Sequence, residues 1–567
     1  MNSNFRRAKR VVATWRGGGI SAVKQVIKLA RQKRRESAKY REWLLVHGSL
    51  TETERSEIRG SIEGVERHPL ISVVLPVYNV EEKWLRACIE SVIGQIYPNW
   101  ELCIADDWSS SKHIRPVLAE YAANDKRIKL VFRDVNGHIS AASNSALDLA
   151  TGEFVVLLDH DDELSEDALY YVAKEINDHP DTEMIYSDED LIDEEGVRSE
   201  PKFKPDFARD LFYSLNLVTH LSAYKSEVAK QLGGFRVGFE GSQDYDLALR
   251  VIENIPETAI RHIPRVLYHW RAIKTSVAHS GDAKPYAYEK AREALREHFV
   301  RTGVAAKVIP AAENLNRVIY ELPSAQPTVS LIVFGDGDVT HKYADDIKAA
   351  TSYPPIRIVP TVVKNNISPA LNAAAREGAG EVICFVDSRL RPLSPDWLNE
   401  LVSFAARPEI GAVGAKIMSA SGLVRHAGLV IGTDELVAPA SKDLLPDSPG
   451  YFFRSGLIGN FSAISVACMV VRRAAFESVG GFDAGAFPNH YFDADLCLRL
   501  GRAGLRTVFT PYAQLIERDA KIPVDLHNSG SLDERRSFEQ KWVAHLKRDP
   551  FYNPNLSRQS ADFSIDI

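Results

Sequence analysis

Glu153-Phe-Val-Val-Leu-Leu158 runs directly into Asp159-His160-Asp161-Asp162, and a stretch with helical spacing follows. A short apolar run ending in adjacent carboxylates reads as a buried strand that delivers hard oxygen ligands to the carboxyl edge of a sheet. There a divalent cation can bridge protein and a diphosphate. The letters alone are common, since the chain holds five Asp-x-Asp triplets, at 159/161, 188/190, 244/246, 336/338 and 493/495. Position has to separate them.

Upstream, Ile71-Ser-Val-Val-Leu75, Trp100–Ala105 and Ile128–Phe132 read as strands, with helices expected at Trp84–Ile93, Arg115–Ala123 and Ala141–Ala150. Such alternation predicts parallel βαβ units and an α/β, doubly wound sheet. Downstream come a long helix at Tyr286–Thr302, a hairpin (Ala306–Ile309 with Arg317–Leu322) and a linker, Pro323-Ser-Ala-Gln-Pro327. The pattern then restarts. Val329–Val333 echoes Ile71–Leu75, and Gly380–Asp387 echoes Gly152–Asp159. Asp493-Ala-Asp-Leu-Cys-Leu-Arg499 echoes Asp244-Tyr-Asp-Leu-Ala-Leu-Arg250, each preceded by Gly-Gly-Phe. Four matches in one order indicate a duplicated domain. The expected boundaries are 1–68 for a basic helical arm, 69–325 for the first copy and 326–567 for the second with its tail.

The 567 residues are 45% apolar and 26% charged, an ordinary globular composition with material for two large cores. No apolar run approaches the ~18 residues of a membrane span. Cys88, Cys103, Cys384, Cys468 and Cys497 are scattered singly and read as reduced core thiols of a cytoplasmic protein. The net charge of −7 conceals an arm: residues 1–41 carry 13 Lys/Arg against Glu36 alone. Its Val23, Val26, Ile27 and Arg31-Gln-Lys-Arg-Arg35 suggest an amphipathic helix, either a peripheral contact with the inner face of an anionic membrane or a solubilising arm. The basic residues lack interleaved aromatics and the body is acidic, which argues against nucleic acid.

Pro76-Val-Tyr78-Asn79 ends the first strand and Asp106-Asp107 the second, both on the carboxyl edge. An aromatic stacks on a nucleobase and a carboxylate accepts a base N–H; singly these would be a turn residue and a helix N-cap. Together with 159–162 they read as a nucleotide pocket.

These stretches, with Asn136–Asn144, Gln243–Arg250 and Tyr268-His-Trp-Arg271, resemble the inverting family 2 glycosyltransferases of GT-A fold, especially tandem bacterial enzymes of surface-polysaccharide assembly. The resemblance spans roughly residues 40–555. It implies two tandem Rossmann-like GT-A domains with mostly parallel sheets. It also implies a nucleotide-sugar donor, UDP- or dTDP-linked, and Mg²⁺ or Mn²⁺ as cofactor. Pro76, Tyr78, Asn79, Asp106, Asp107, Asn144 and Asp159 would then bind the donor. Asp161 would be the direct metal ligand, with Asp159 and His269 as further candidates and His160 turned away. Asp244 would be the general base facing an acceptor hydroxyl; its plainer reading is the N-cap of a helix Tyr245–Ile252. Asp246 is expected to brace the site or pair with an Arg, and Arg271 to meet the diphosphate or be solvated; Asp188 and Asp190 are secondary candidates near the donor sugar or acceptor, their plainer reading an acidic loop. Ser242 and Gln243 are acceptor-side candidates.

In the second copy Pro76, Tyr78 and Asn79 become Phe334, Asp336 and Gly337, and Asp159-His-Asp161 becomes Asp387-Ser-Arg389. First strand to pre-strand Gly is 81 residues in copy one and 51 in copy two. An Arg repels the cation that a carboxylate holds. Copy two is therefore expected to be degenerate, serving acceptor binding, packing or homo-oligomerisation. The expected activity is transfer of a sugar to a saccharide or lipid-linked saccharide. The alternatives are a two-site polysaccharide synthase and a non-catalytic saccharide-binding scaffold.

Overall fold

The computed structural model describes residues 35–272, 285–337, 339–519 and 530–567. The expected amphipathic helix of the arm falls almost wholly outside the described residues. The lead-in consists of helices at 35–47 and Glu52–Glu63. The second is fixed by a capping box in which Thr51 and Glu54 bond each other's backbone N–H, an arrangement contributing about 1 kcal/mol.

The first sheet holds β1 (Ile71–Val77), β2 (Trp100–Asp106), β3 (Ile128–Phe132), β4 (Phe154–Leu157), β5 (Glu163–Leu164), β6 (Met184–Ile192), β7 (Arg198–Lys202), β8 (Ser222–Lys225) and β9 (Ile260–Arg271). Its order is β3-β2-β1-β4-β8-β6-β9-β5, with β7 on β6. The β3-β2-β1-β4 half and the β6–β9 pair are parallel, while β8, β5 and β7 run antiparallel. Every residue of β1 is buried, as a central strand covered on both faces requires. The helix Glu82–Ile93 covers it through Trp84, Leu85, Cys88, Ile89 and Val92, a stripe at helical spacing. Truncating Leu85 to Ala would cost about 2–5 kcal/mol.

The expected hairpin follows as β10 (Ala306–Pro310) and β11 (Asn316–Tyr320). The second sheet comprises β12 (Val329–Gly335), β13 (Ile356–Val362), β14 (Val382–Asp387), β15 (Leu390–Pro392), β16 (Ile410–Met418), β17 (Val424–His426), β20 (Gly459–Asn460), β21 (Cys468–Arg472) and β22 (Arg506–Glu517). A small ribbon, β18 (Leu429–Ile431) with β19 (Val437–Pro439), stands apart. Its main order, β13-β12-β14-β21-β16-β22-β15, matches that of the first sheet strand for strand, less β3. The residues missing from copy two are thus the helix Ile114–Asn124 and β3, since β13 passes directly to the helix Ile367–Glu377.

Three repeated contacts explain why certain letters recur. Ser72 Oγ accepts the Gly152 N–H and Ser330 Oγ accepts the Gly380 N–H, both at 2.8 Å. A Cβ on either glycine would lie 2.6 Å or less from neighbouring atoms, so the close approach admits no side chain. The Asn144 amide bonds both the N–H and the carbonyl of Phe235 (2.8 and 2.7 Å), and Asn372 does the same to Phe482 (3.0 and 2.8 Å). Arg250 pairs with Asp246 and donates to the carbonyls of Leu232 and Gly234; Arg499 pairs with Asp495 and donates to those of Val479 and Gly481. The recurring Gly-Gly-Phe turn is pinned to its helix in the same way twice.

The two copies share one core: a single apolar cluster runs from Val74 and Cys103 to Val470 and Trp542. Across the junction Asp210 pairs with Arg506 (2.9 Å) and accepts from Asn460 Nδ2 (2.8 Å). The C-terminal segment lies on the first copy, where Phe563 and Ile565 join Tyr40, Trp43, Phe203 and Val266. All five cysteines are buried and free of disulfides. No described helix is long and apolar enough to cross a membrane.

Candidate active site

Adjacent strands β1 and β2 end in register, Val77 opposite Asp106, and the chain beyond each forms one rim. Tyr78 on that rim is 47% exposed, and Trp108, which the sequence reading passed over, is 53% exposed. Exposed aromatics following the ends of two adjacent strands suit stacking on a base. Pro76, Asn79, Asp106 and Asp107 shape the rim from beneath. The Pro76 carbonyl receives His160 Nδ1 at 3.2 Å. Asn79, at φ +47°, accepts the N–H groups of Ser110 and Ser111 at 2.9 Å each. Asp106 is fully buried and accepts the Ser109 N–H, and Asp107 Oδ1 takes Arg133 Nε (2.8 Å) and the Gly137 N–H (2.9 Å). Asn144, expected on the donor, is instead spent on Phe235.

The strand β4 ends into a tight loop rather than directly into a helix: β5 intervenes and pairs antiparallel with β9. That turn decides which carboxylates converge. Asp159, Asp162 and His220 bring ligand atoms within 4.8 Å of one another. Asp161 and His269 do not belong to this group. The Asp161 carbonyl accepts Arg271 Nε, and His269 is buried with Nδ1 2.6 Å from Asp190. Tyr268 holds the loop by donating to Asp162 Oδ2 and accepting the Asp159 N–H, and its ring stacks on His220 with centroids 4.6 Å apart. Burial, then the neighbouring Asp161 and Asp159, push Asp162 well above the usual carboxylate range. Burial also raises Asp161, against the pull of His160. Clustered carboxylates that resist ionising in each other's company are what a cation relieves. Two carboxylates with one imidazole fit Mn²⁺ by donor type better than Mg²⁺, which takes oxygen ligands.

His220 stands at φ +38°, a left-handed conformation that costs a non-glycine residue about 1–2 kcal/mol. It is held there by groups that carry no motif in the chain. Its Nδ1 lies 3.4 Å from Glu189, and its carbonyl accepts Lys204 Nζ at 2.8 Å. Burial alone would raise Glu189, but Lys202 and Lys204 hold it well below the usual carboxylate range. Glu189 faces the site because β6 is a strand through residues 184–192, not the expected acidic loop, and successive side chains alternate. Its neighbours Asp188 and Asp190 accordingly point the other way and are fully buried. Asp188 binds His262 and Asn553 at 2.9 Å each and the Lys204 N–H; Asp190 binds Tyr40, Arg198 and His269 at 2.6 Å each.

Asp244 lies in the first turn of a helix that begins at Gln243, so it is not the N-cap; Ser242 occupies that position. Asn216 Nδ2 holds its Oδ2 at 2.8 Å. Burial raises its pKa, His220 opposes and Asp159 adds to the rise. Asp246 braces Arg236 and Arg250, as expected. Ser242 Oγ donates to the Ala287 carbonyl and Gln243 accepts the Gly241 N–H, so both organise the helix start. Arg271 is neither solvated nor turned outward. It is 2% exposed, binds Asp161 and Asp193 carbonyls and Glu163, and covers the Trp84 ring at 4.1 Å. A crevice of about 990 Å³ runs along β9 beside residues 43–50; Glu163 and His269 line it, but Asp159, Asp162 and His220 do not.

In the second domain Asp387 is 1% exposed and meets Arg389 through two contacts, Nε to Oδ1 (2.9 Å) and Nη2 to Oδ2 (2.6 Å). A guanidinium thus neutralises internally the carboxylate that matches Asp159. Glu517, in the place of His269, binds Arg425 (3.2 Å), and Asp493, in the place of Asp244, accepts the N–H groups of Val466 and Ala494.

An open α/β sheet with this strand order, carrying its polar residues on the carboxyl edge, defines a GT-A glycosyltransferase domain, here present twice. The profile described as "Glycosyl transferase family 2" matches residues 72–233, and "Glycosyltransferase like family 2" matches residues 305–543. The chain belongs to glycosyltransferase family 2. It is 38% identical over 544 residues to the uncharacterized protein y4gI of Sinorhizobium fredii and 34% identical over 539 residues to the O-antigen biosynthesis protein RfbC of Myxococcus xanthus. Each match covers 89% of this chain but only 59% and 42% of those longer relatives. It is 31% identical over 196 residues to the putative colanic acid biosynthesis glycosyl transferase WcaA of Escherichia coli K12, covering 33% of this chain and 68% of that one. Among solved structures, S. aureus TarS 1-349 with UDP-GlcNAc aligns with TM-score 0.34 and 20% identity over 41% of this chain and 66% of that one.

Proposed function

We propose that the first domain is a single-site, cation-dependent, inverting transferase. It moves a sugar from a nucleotide-sugar to a saccharide or lipid-linked saccharide acceptor in surface-polysaccharide assembly. The observation that carries this reading is the convergence of Asp159, Asp162 and His220 within 4.8 Å at the carboxyl edge, set against the Arg389–Asp387 pair at the matching place in the second domain. The kinship with O-antigen and colanic acid biosynthesis proteins supports the substrate class.

Displacement at an anomeric carbon needs an activated acceptor and a stabilised leaving diphosphate. A divalent cation held by Asp159, Asp162 and His220 would act as a Lewis acid on the diphosphate oxygens. Asp244 takes the proton of the acceptor hydroxyl, with its rotamer set by Asn216. Tyr78 and Trp108 stack on the base from the rim, and the Asp107–Arg133 pair keeps the rim in shape. The internal pairing of Asp387 speaks against a second transfer site, and the intact first edge against a mere scaffold.

Thermal shift with a panel of UDP-, dTDP- and GDP-sugars, each with Mn²⁺ or Mg²⁺, tests the reading. One donor at 100 times its Kd stabilises the folded chain by about 2.7 kcal/mol. If no donor shifts the melting temperature at millimolar concentration, the reading fails.

A further inference from the structure

The second domain reaches the face of β6 that lies behind the candidate cation site. Asn553, 2% exposed and belonging to the C-terminal segment, donates through Nδ2 to both carboxylate oxygens of Asp188 (2.9 and 3.1 Å) and to the Lys204 carbonyl (2.8 Å). Asp188 Oδ1 also accepts the Lys204 N–H at 2.8 Å, so Asn553 closes a ring around the Lys204 backbone. The Lys204 side chain runs to the opposite side of β6. Its buried ammonium bonds Glu189 Oε2 (3.1 Å), the His220 carbonyl (2.8 Å) and the Thr219 carbonyl. Glu189 in turn lies 3.4 Å from the His220 ring. The imidazole of the cation site therefore has Lys204 on its backbone carbonyl and Glu189 beside a ring that stacks on Tyr268, and Lys204 is itself held by the other domain.

We propose that Asn553 is a positioning residue for the first domain's cation site, acting through Lys204 and Glu189 on His220. The degenerate domain is then retained as part of the active domain's support. This inference rests on the reading of Asp159, Asp162 and His220 as cation ligands. A carboxylate oriented against a ligating imidazole is a setting in which loss of the outer partner weakens metal affinity about 10–100-fold.

The test is a titration of the full chain with Mn²⁺ alone, followed by electron paramagnetic resonance and calorimetry. N553L, N553S (the same donor lost without added bulk) and E189Q should each weaken Mn²⁺ binding about 10–100-fold. Y451F removes two other interdomain hydrogen bonds, the Phe203 N–H to Tyr451 Oη at 2.8 Å and Tyr451 Oη to the Pro201 carbonyl at 3.3 Å, and should leave the affinity unchanged. In an H220Q background N553L should add less than about twofold, because coupled residues are not additive. Wild-type affinity in N553L and N553S would overturn the inference while the transferase reading stands. So would a loss of the same size with and without His220, which would mark general loosening of the fold. No Mn²⁺ binding by the wild type, or equal binding by D159N, would overturn the cation reading itself and this inference with it.

Discussion

The two domains share a scaffold and, apart from the missing helix and β3 of the second, differ most in one constellation. Ser72–Gly152, Asn144–Phe235 and Asp246–Arg250 in the first reappear as Ser330–Gly380, Asn372–Phe482 and Asp495–Arg499 in the second. What differs is the carboxyl edge. There the first domain leaves Asp159 beside Asp162 and His220, and the second pairs Asp387 with its own Arg389. Contacts that persist after a site decays are those the fold needs. The pairs therefore sort motif residues into architecture and chemistry without any alignment of homologues.

The largest expected effect comes from breaking this contrast at the carboxylates. D159N should lower transfer about 10³-fold, the several kcal/mol a Lewis acid supplies, while D387N should leave transfer within about twofold. Steady-state rates at saturating Mn²⁺ check both. Next is the junction. Removing Arg506 as R506M leaves Asp210 buried without its partner and should destabilise the chain by about 3–5 kcal/mol, read by chemical denaturation. The pH dependence follows from the same pair. Burial alone would raise Asp210, but Arg506 and Asn460 bring it below the usual carboxylate range. The folded chain thus binds this proton less readily than the unfolded one. The pair's stabilisation is fully present above pH ~4 and lost as pH falls from there through the lower folded value. Wild type should lose stability on acidification below pH 4 more steeply than D210N does.

Smaller effects separate architecture from binding. N144A and N372A should each cost about 1–3 kcal/mol by stranding the backbone groups of Phe235 and Phe482, with donor KM unchanged in both. A selective rise of KM in N144A would return that residue to the donor site. Of similar size, but on binding and not on folding, is W108A, which should weaken donor binding by about 1–3 kcal/mol in titration calorimetry with little change in melting temperature.

Much of this was legible in the chain. Strand–helix alternation and the four ordered echoes gave two α/β copies, and Arg389 in the place of Asp161 marked the second as altered. Asp244 at a helix start and Tyr78 at a strand end followed from position. The proposed ligand set was less legible because the loop after β4 turns sharply and groups Asp162 with Asp159 and His220. His220 lies far along the chain in Asn216–Leu221, with no motif around it. Glu189 was hidden by its company. Ser187-Asp-Glu-Asp190 has the letters of a loop, yet it forms a buried strand because its charges find partners from three places: Tyr40, Lys204 and Asn553. None of those partners is local in sequence. Asn144 and Arg271 misled in the opposite direction, since both sit in recognisable motifs and serve the backbone.

One working site per chain is the central claim. The direct measurement is the transfer rate of D244N and of its counterpart D493N with the donor found by thermal shift, each with folding verified. D244N should lose about 10²–10⁴-fold, the usual contribution of a positioned general base, with D493N within about twofold of wild type. Equal losses in the two variants, or a loss confined to D493N, would contradict the account.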